Sequence, residues 1–460
     1  MGHNCGLFGV AGDPDAAHRT YLGLTALQHR GQEGSGITSS DGQSIFSHRG
    51  SGFVDKVFSG KKFKDLPGNI AIGHNRYGTS GKGDHPQPVM GDFTMAHNGT
   101  IPDTTKLEEF LDSKNISTRG LNDSEMIHSA TSYYTKRGSS LEEAIIDAQP
   151  LFADGAYSLL FMNKDQIIAV RDQHGIRPLS IGQSDGSWIF SSETCALDTI
   201  RASHIDNVKA GEMVIAETGQ TELRRIQLFD GHETMSADEY YYIDKPNSKL
   251  GGQSIQIVRK RMGVILAREE GGIDADLVIG VPDSGIPAAL GYAQESGILY
   301  DVGIISDRYV GRTFITPGQD ERKKAVARKL HPIPEIVDGK RLIVGDDSIV
   351  RGTTAMKYVQ DLRDAGAMEV HLRIPTPPII YPNFYGLDTP KQENLFAYGK
   401  SLEEMRRILG VDSLRFVSLD GMVEAIGVPA ENLDLSCFNG DYPVPIGKRR
   451  AEVVFDMHNR

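Results

Sequence analysis

Cysteine is scarce in this 460-residue chain: Cys5, Cys195 and Cys437 are the only three, far apart and without a C-x-x-C pair. They suggest neither a disulfide framework nor a cysteine-rich zinc site, and a reducing cytoplasm is the compartment that suits them. Positive charge is also short. Acidic residues outnumber basic ones by 61 to 49, a net −12 with histidine neutral. Nucleic acid and anionic membranes are therefore not expected partners, since both select a basic surface, although a local basic site still leaves room for a polyanionic substrate. Apolar runs stay short of the roughly 18 residues that a membrane span needs. The opening MGHNCGLFGV has no charged segment followed by a long apolar stretch, so it does not read as a signal peptide. Gly6 stands where a myristoylation motif calls for Ser or Thr.

With 39% hydrophobic and 24% charged residues the composition is that of an ordinary globular protein, and its length exceeds one hydrophobic core, so two or three domains are expected. In the first half, short apolar segments such as CGLFGVAG, NIAIGHNRYG, FTMAHNGTI, YSLLFM and QIIAVRD are bounded by turn residues and read as strands. AHRTYLGLTALQHR, TKLEEFLDS, SEMIHSATSYYTKR and SLEEAIIDAQ carry apolar residues at helical spacing. The mixture predicts sheets with helices packed on them. The second half repeats strand, loop, helix: DLVIGVPDSG then IPAALGYAQESG, and KRLIVGDDSIVRGTT then AMKYVQDLRDAGA, followed by MEVHLRI. Continuous apolar strands before helices predict a parallel sheet covered on both faces, with ligands bound beyond the carboxyl ends of its strands. The polar stretch FDGHETMSADEY places a boundary near residues 230–240.

The sharpest local signal is RLIVGDDSIVRGTT, residues 341–354. An apolar strand delivers Asp346 and Asp347 into a loop that closes at a helix start. There Arg351, Gly352, Thr353 and Thr354 offer backbone N–H groups, two hydroxyls and a cation, the makings of a phosphate cradle. The paired carboxylates could meet ribose hydroxyls or a hydrated magnesium ion, which binds through one or two carboxylates plus substrate phosphates.

This string resembles the ribose-phosphate motif of type I phosphoribosyltransferases. With VIGVPDSG (278–285), DRYVGRTFITPGQDERKKAVARKL (307–330) and TPPIIYPNFYGLDT (376–389), the chain more closely resembles the amidophosphoribosyltransferase family. That resemblance implies phosphoribosyl diphosphate binding by Asp346, Asp347, Ser348, Arg351, Gly352, Thr353 and Thr354, and magnesium ligation by Ser284, Asp346 and Asp347. The basic segment 307–330 is expected to form a flap that closes on the diphosphate and excludes water.

The same resemblance extends through the first half. Such N-terminal-nucleophile amidotransferases begin with Cys-Gly and use the cysteine's own α-amine as base, an amine that titrates near neutrality. Cys5 is then the nucleophile, and residues 1–4 are a leader that must be removed. ALQHRGQEGSGI (26–37), IGHNRYGTSG (72–81) and NDSEMI (122–127) imply glutamine contacts from Arg30, Arg76 and Asp123; Arg76 is a planar cation suited to the α-carboxylate. AHNGTI (96–101) implies that Asn98 and Gly99 hold the oxyanion of the tetrahedral intermediate. Taken singly, HNG is a tight turn; several such strings in family order are not. RDQHGIRPL and SSETCALD are family strings of structural character. His74 and His97 are read as structural, and Cys195 as packed against a strand.

The implied architecture is a leader (1–4), an αββα layered glutaminase domain (5–234), and a type I phosphoribosyltransferase domain (235–460). The last has a mainly parallel sheet and a C-terminal helical extension. Many family members bind a [4Fe–4S] cluster through four cysteines; here those places hold Ser236, Asn383, Asp434 and Cys437, so no cluster is expected. Gly345 stands where members often carry a bulkier residue. The reaction implied is glutamine-dependent formation of 5-phosphoribosylamine, opening purine synthesis, with purine-nucleotide feedback and a homo-oligomer, a tetramer or dimer, inherited from the resemblance. A glucosamine-phosphate synthase relative would lack DDSIVRGTT. A non-catalytic or ammonia-only phosphoribosyl-binding paralogue is the remaining alternative.

Overall fold

The computed structural model describes residues 5–59, 62–77, 87–307, 330–387, 389 and 391–455. The expected leader and nearly all of the expected basic flap (308–329) lie outside the described residues. The first half builds two antiparallel sheets. One runs Ser203–Asn207, Ser180–Ser184, Ser187–Ser191, Gly6–Ala11, Ile70–Arg76, Gly34–Ser40, Ile45–Ser51. The other runs Arg224–Gln227, Glu212–Glu217, Gln166–Arg171, Ala156–Met162, Thr94–Thr100, Val89–Met90.

Alternation along single strands dictates the layering. In Gly6–Ala11, Phe8 and Val10 pack with Ala17 and Leu24 of the helix Ala16–Ala26, whereas Leu7 and Ala11 face the second sheet. In Ala156–Met162, Leu160 and Met162 enter that same inter-sheet layer, while Leu159 and Phe161 pack beneath the helices Asp123–Thr135 and Leu141–Ala148. Helix, sheet, sheet, helix is the expected αββα sandwich, because each strand is apolar on both faces.

The second half holds a four-stranded parallel sheet ordered Leu277–Gly280, Arg341–Gly345, Glu369–Ile374, Ser413–Phe416. Val278 and Ile343 pack toward the helices Ile255–Glu270 and Ile286–Ser296. Leu342, Val344 and Leu372 pack toward Thr353–Asp364 and Leu402–Leu409. Gly345 matters more than its modest sequence departure implies: a Cβ there would lie 2.9 Å from the Ala289 Cβ, so the bare strand end lets the helix Ile286–Ser296 sit close.

A buried ionic cluster joins the halves. Fully buried Arg30 donates to Glu193 (2.7 Å), to Asp244 (2.9 Å) and to both oxygens of Glu239 (3.0 Å each), and its Nε–H donates to the Cys5 carbonyl (3.1 Å). Arg177, equally buried, donates to Glu239 (2.9 Å), to Asp238 (3.4 Å) and to the Tyr385 carbonyl (2.8 Å). Burial pushes the Glu239 carboxyl up, but Arg30 and Arg177 more than reverse this and hold it at about 2.

Removing one member of a buried ion cluster strands the others, at a cost of about 3–5 kcal/mol. Arg30→Met is therefore expected to lower the melting temperature sharply, with Arg30→Lys intermediate because it keeps the charge and loses the fork. Since the folded Glu239 carboxyl titrates below its ordinary 4.5, its contribution is present above that pH and lost as pH falls toward 2. A Glu239→Gln protein whose acid-melting profile matched the parent's between those limits would refute the assignment.

Candidate functional site

The period of two brings the glutamine-side residues together. Cys5 shares parity with Leu7, His74 and Arg76 with Ile70 and Ile72, and Asn98 with Ala96; those four apolar partners all line the inter-sheet layer. Three strands thus aim a thiol, a guanidinium and an amide into one end of one gap. Burial pushes the Cys5 thiol up to about 11, against the pull of a backbone hydrogen bond from Tyr77 and of the Arg76 and Arg30 charges. At neutral pH the sulfur therefore keeps its proton and needs a base before it can attack.

Asn98 is fully buried, and neither its Nδ2 nor its Oδ1 has a hydrogen-bond partner among the described residues. An unpaired buried amide is costly, so it is tolerated where a ligand will complete it. Gly99 follows at φ +142°, and a Cβ there would lie 2.0 Å from the Ala156 carbonyl oxygen, so only glycine fits. Asp123 opens the helix Asp123–Thr135 behind a capping box made by Asn122 and Glu125. Its carboxylate accepts from the backbone N–H groups of Ser124 (2.9 Å) and Ile101 (3.2 Å), and its charge reaches the Cys5 thiol.

Arg30 departs from expectation. It lies beside Cys5, as its turn implied, yet its guanidinium is spent on three carboxylates and a carbonyl in a fully buried position. It holds the backbone of Cys5 and is not placed to take a glutamine carboxylate. The partners Glu239 and Asp244 lie more than 200 residues away in sequence, so no local pattern announced this.

On the other side, the strand Arg341–Gly345 delivers Asp346 and Asp347, both only 8% exposed. Asp346 Oδ1 accepts from the Asp347 N–H and Oδ2 from the Tyr358 hydroxyl, each at 2.9 Å. Asp347 accepts from the hydroxyls of Ser348 (2.7 Å) and Ser284. Burial first, and the Asp347 charge second, raise the Asp346 carboxyl to about 8; burial also raises Asp347, which Ser284 and Ser348 partly offset. Gly352, at φ +74°, is the N-cap of the helix Thr353–Asp364, and no side chain caps that end. Its first N–H groups are left for an anion, beside exposed Arg351, Thr353 and Thr354. Tyr358 was not singled out in the sequence; a phenol on the buried face of this amphipathic helix, one turn past Thr354, was the signal available.

Two carboxylates and a serine hydroxyl form an oxygen-only donor set short of positive charge, which fits magnesium. A four-thiolate cluster is not fitted. Ser236 and Asp434 pair on a short parallel ladder, Asn383 Oδ1 accepts the Tyr385 N–H (2.7 Å), and its Nδ2 contacts the single thiol, Cys437 Sγ (3.9 Å). These donors are one thiol among oxygens and an amide. Among the described residues, no helix is long and apolar enough to cross a membrane.

Comparison with known proteins agrees with this geometry. Residues 74–199 match the family model of a glutamine amidotransferase domain. The amidophosphoribosyltransferase of Synechocystis sp. is 42% identical, covering 98% of this chain and 94% of its own. That of Bacillus subtilis is 39% identical, covering 97% and 95%. Among solved structures, the B. subtilis glutamine phosphoribosylpyrophosphate amidotransferase complexed with ADP and GMP superposes with a TM-score of 0.88 at 38% identity, covering 96% of this chain and 98% of that one. A structure described as the allosteric regulatory enzyme of purine biosynthesis gives 0.90 at 38%, covering 96% and 97%. With near-complete coverage on both sides and both halves matched in order, this chain belongs to the amidophosphoribosyltransferase family.

Proposed function

We propose that this chain carries out its family's reaction, 5-phosphoribosylamine formation from glutamine and phosphoribosyl diphosphate, with Cys5 as nucleophile and the Asp346–Thr354 loop as the sugar-phosphate site. The carrying observation is the fully buried, unpartnered amide of Asn98 in the same inter-sheet gap as the Cys5 thiol. With residues 1–4 removed, the Cys5 α-amine takes the thiol proton and the sulfur attacks the carboxamide carbon. Asn98 Nδ2 and the Gly99 N–H donate to the resulting oxyanion. Arg76 receives the α-carboxylate of glutamine and Asp123 its ammonium. Collapse breaks the C–N bond, ammonia leaves with the returned proton, and water hydrolyses the thioester to glutamate.

Ammonia then attacks C1 of the ribose and diphosphate departs with the bonding electrons. Free ammonia protonates in neutral water, so direct passage between the two halves preserves its nucleophilicity. Arg351, Gly352, Thr353 and Thr354 cradle phosphate, and Asp346, Asp347 and Ser348 address the ribose. Ser284, Asp346 and Asp347 would hold magnesium, which supplies positive charge to the departing diphosphate. The division at 234/235, a homo-oligomer, a cytoplasmic location and the absence of an iron–sulfur cluster complete the reading. Purine nucleotides are its expected inhibitors, in keeping with the ADP and GMP in the B. subtilis structure.

Cys5→Ala should abolish glutamine-dependent synthesis and spare ammonia-dependent synthesis; loss of both would contradict the division of labour. Intact mass should show a mature chain starting at Cys5, and amide-labelled glutamine should label the phosphoribosylamine.

Asp346→Asn should depress both activities alike, by about 10–100-fold or more. Its effect on stability has the opposite sign. The folded Asp346 carboxyl titrates at about 8, above its ordinary 3.8, so the ligand-free parent loses stability progressively as pH rises from about 4 to 8. The variant's melting temperature should fall less over that window. Coincident profiles would mean that Asp346 ionises in the folded state without penalty.

A further inference from the structure

We propose that His97 is a positioning residue of the oxyanion hole: clamped by Gln87, His74 and Ser124, it sets the peptide that leads into Asn98 and yokes that donor to Asp123. This rests on the reading of Asn98 and Gly99 as the oxyanion donors.

The clamp answers a need created by the topology. Thr94–Thr100 pairs along its whole length with Ala156–Met162 on one side. On its other side the edge strand Val89–Met90 covers only Met95 and Thr94. Among the described residues that second edge has no strand neighbour beyond Met95, and the N–H and carbonyl of His97 point toward it. Both are satisfied by side chains. The His97 N–H donates to Gln87 Oε1 (2.8 Å), and the His97 carbonyl accepts from His74 Nε2 (3.0 Å). Because its acceptor is a carbonyl, His74 carries its proton on Nε2. The peptide planes flanking His97 are thereby held from two directions, immediately before the residue whose amide must meet a developing negative charge.

The imidazole of His97 points the other way, toward the helical layer, by the same alternation that sends Asn98 into the inter-sheet gap. Its Nδ1 is hydrogen-bonded to Ser124 Oγ (2.9 Å), which also accepts from Gln87 Nε2 (3.2 Å). The Ser124 N–H in turn donates to Asp123 (2.9 Å). Gln87, His97 and Ser124 form a closed triangle of bonds, all three at most 8% exposed. Through it the group assigned to the glutamine carboxamide and the group assigned to its ammonium are fixed at a set separation. Burial lowers both histidines, His74 to about 3 and His97 below its ordinary value. Their contribution is geometric, and it belongs to the transition state: the oxyanion sits where the clamped peptide directs the Asn98 amide.

The test compares Gln87→Ala, Ser124→Ala and His97→Asn with Asn98→Ala in the mature full-length protein. His97→Asn keeps an acceptor or donor near the Nδ1 position. Four measurements are made: glutamine-dependent rate, ammonia-dependent rate, alkylation of Cys5 by iodoacetamide, and inhibition by glutamate γ-semialdehyde. Addition of the Cys5 thiol to that aldehyde forms a C–S bond, and the thiol proton passes to the former carbonyl oxygen, which occupies the oxyanion position. Loss of a whole oxyanion donor lowers kcat by about 10²–10³-fold, so misplacing it in Gln87→Ala should cost about 10–100-fold in glutamine kcat with little change in KM. Aldehyde affinity should fall in step, with ammonia use and alkylation unchanged; Ser124→Ala should follow the same pattern and His97→Asn should be milder. A rise in KM with kcat and aldehyde affinity intact would overturn the proposal, as would parallel loss of ammonia use and alkylation in all three variants. If Asn98→Ala itself leaves aldehyde binding unchanged, the oxyanion assignment fails. If Asn98→Ala loses it and Gln87→Ala does not, only the clamp fails.

Discussion

The Arg30 guanidinium is the point on which the two halves of this molecule turn. Desolvating a guanidinium and three carboxylates is expensive, and the outlay is recovered only if every hydrogen bond is made with good geometry. Here Nε reaches the Cys5 carbonyl and the two terminal nitrogens share Glu193, Glu239 and Asp244. Glu193 also accepts from the Ser248 hydroxyl and the Lys245 N–H, and contacts His29 at 2.6 Å. The backbone of Cys5 is therefore referenced to carboxylates in the segment that leads into the second half. Arg259 extends the same set, donating to the Tyr240 and Asp244 carbonyls.

The two reactive regions store unmet polarity in different forms. On the glutamine side it is neutral: a protonated thiol, two uncharged histidines and an amide with no partner. On the phosphate side it is ionisable: an acid pair raised by burial, Asp346 further by the Asp347 charge, facing an uncapped helix start. In the proposed reaction each is suited to its ligand. A carboxamide becomes negative only in the transition state, so the first site waits with dipoles. A sugar diphosphate with magnesium arrives carrying both signs of charge, so the second offers separate anionic and cationic ends.

Edges and ends do much of the positioning. Among the described residues only a two-residue edge strand flanks one side of Thr94–Thr100, and side chains from Gln87 and His74 bond to it beyond that strand. The parallel sheet delivers Asp346 and Asp347 from a strand end, where Gly345 lets the helix Ile286–Ser296 sit close and Gly352 leaves room for the Phe396 ring. Tyr358, reaching back from the helix that follows, leaves Asp346 with both oxygens engaged and Asp347 with its partners on the two serines.

Much was legible in one dimension because the physics there is local. Short apolar segments bounded by turn residues read as strands with helices packed on them, the layered sandwich followed from the family resemblance, and continuous apolar strands before helices predicted a covered parallel sheet. DDSIVRGTT spells a phosphate loop because carboxylates, glycine and helix start are contiguous, and Cys5, Arg76, Asn98, Gly99 and Asp123 stood in recognisable strings. What tertiary structure alone decided are relations between distant segments. Arg30 became an ion-pair centre because Glu239 and Asp244 fold against it. His97 became a clamped peptide because one sheet edge ends early, and Tyr358 became the holder of Asp346 because its helix packs on that strand. A side chain's type is written in the sequence, whereas its partner is set by which elements meet, and burial then determines how strongly that pairing counts.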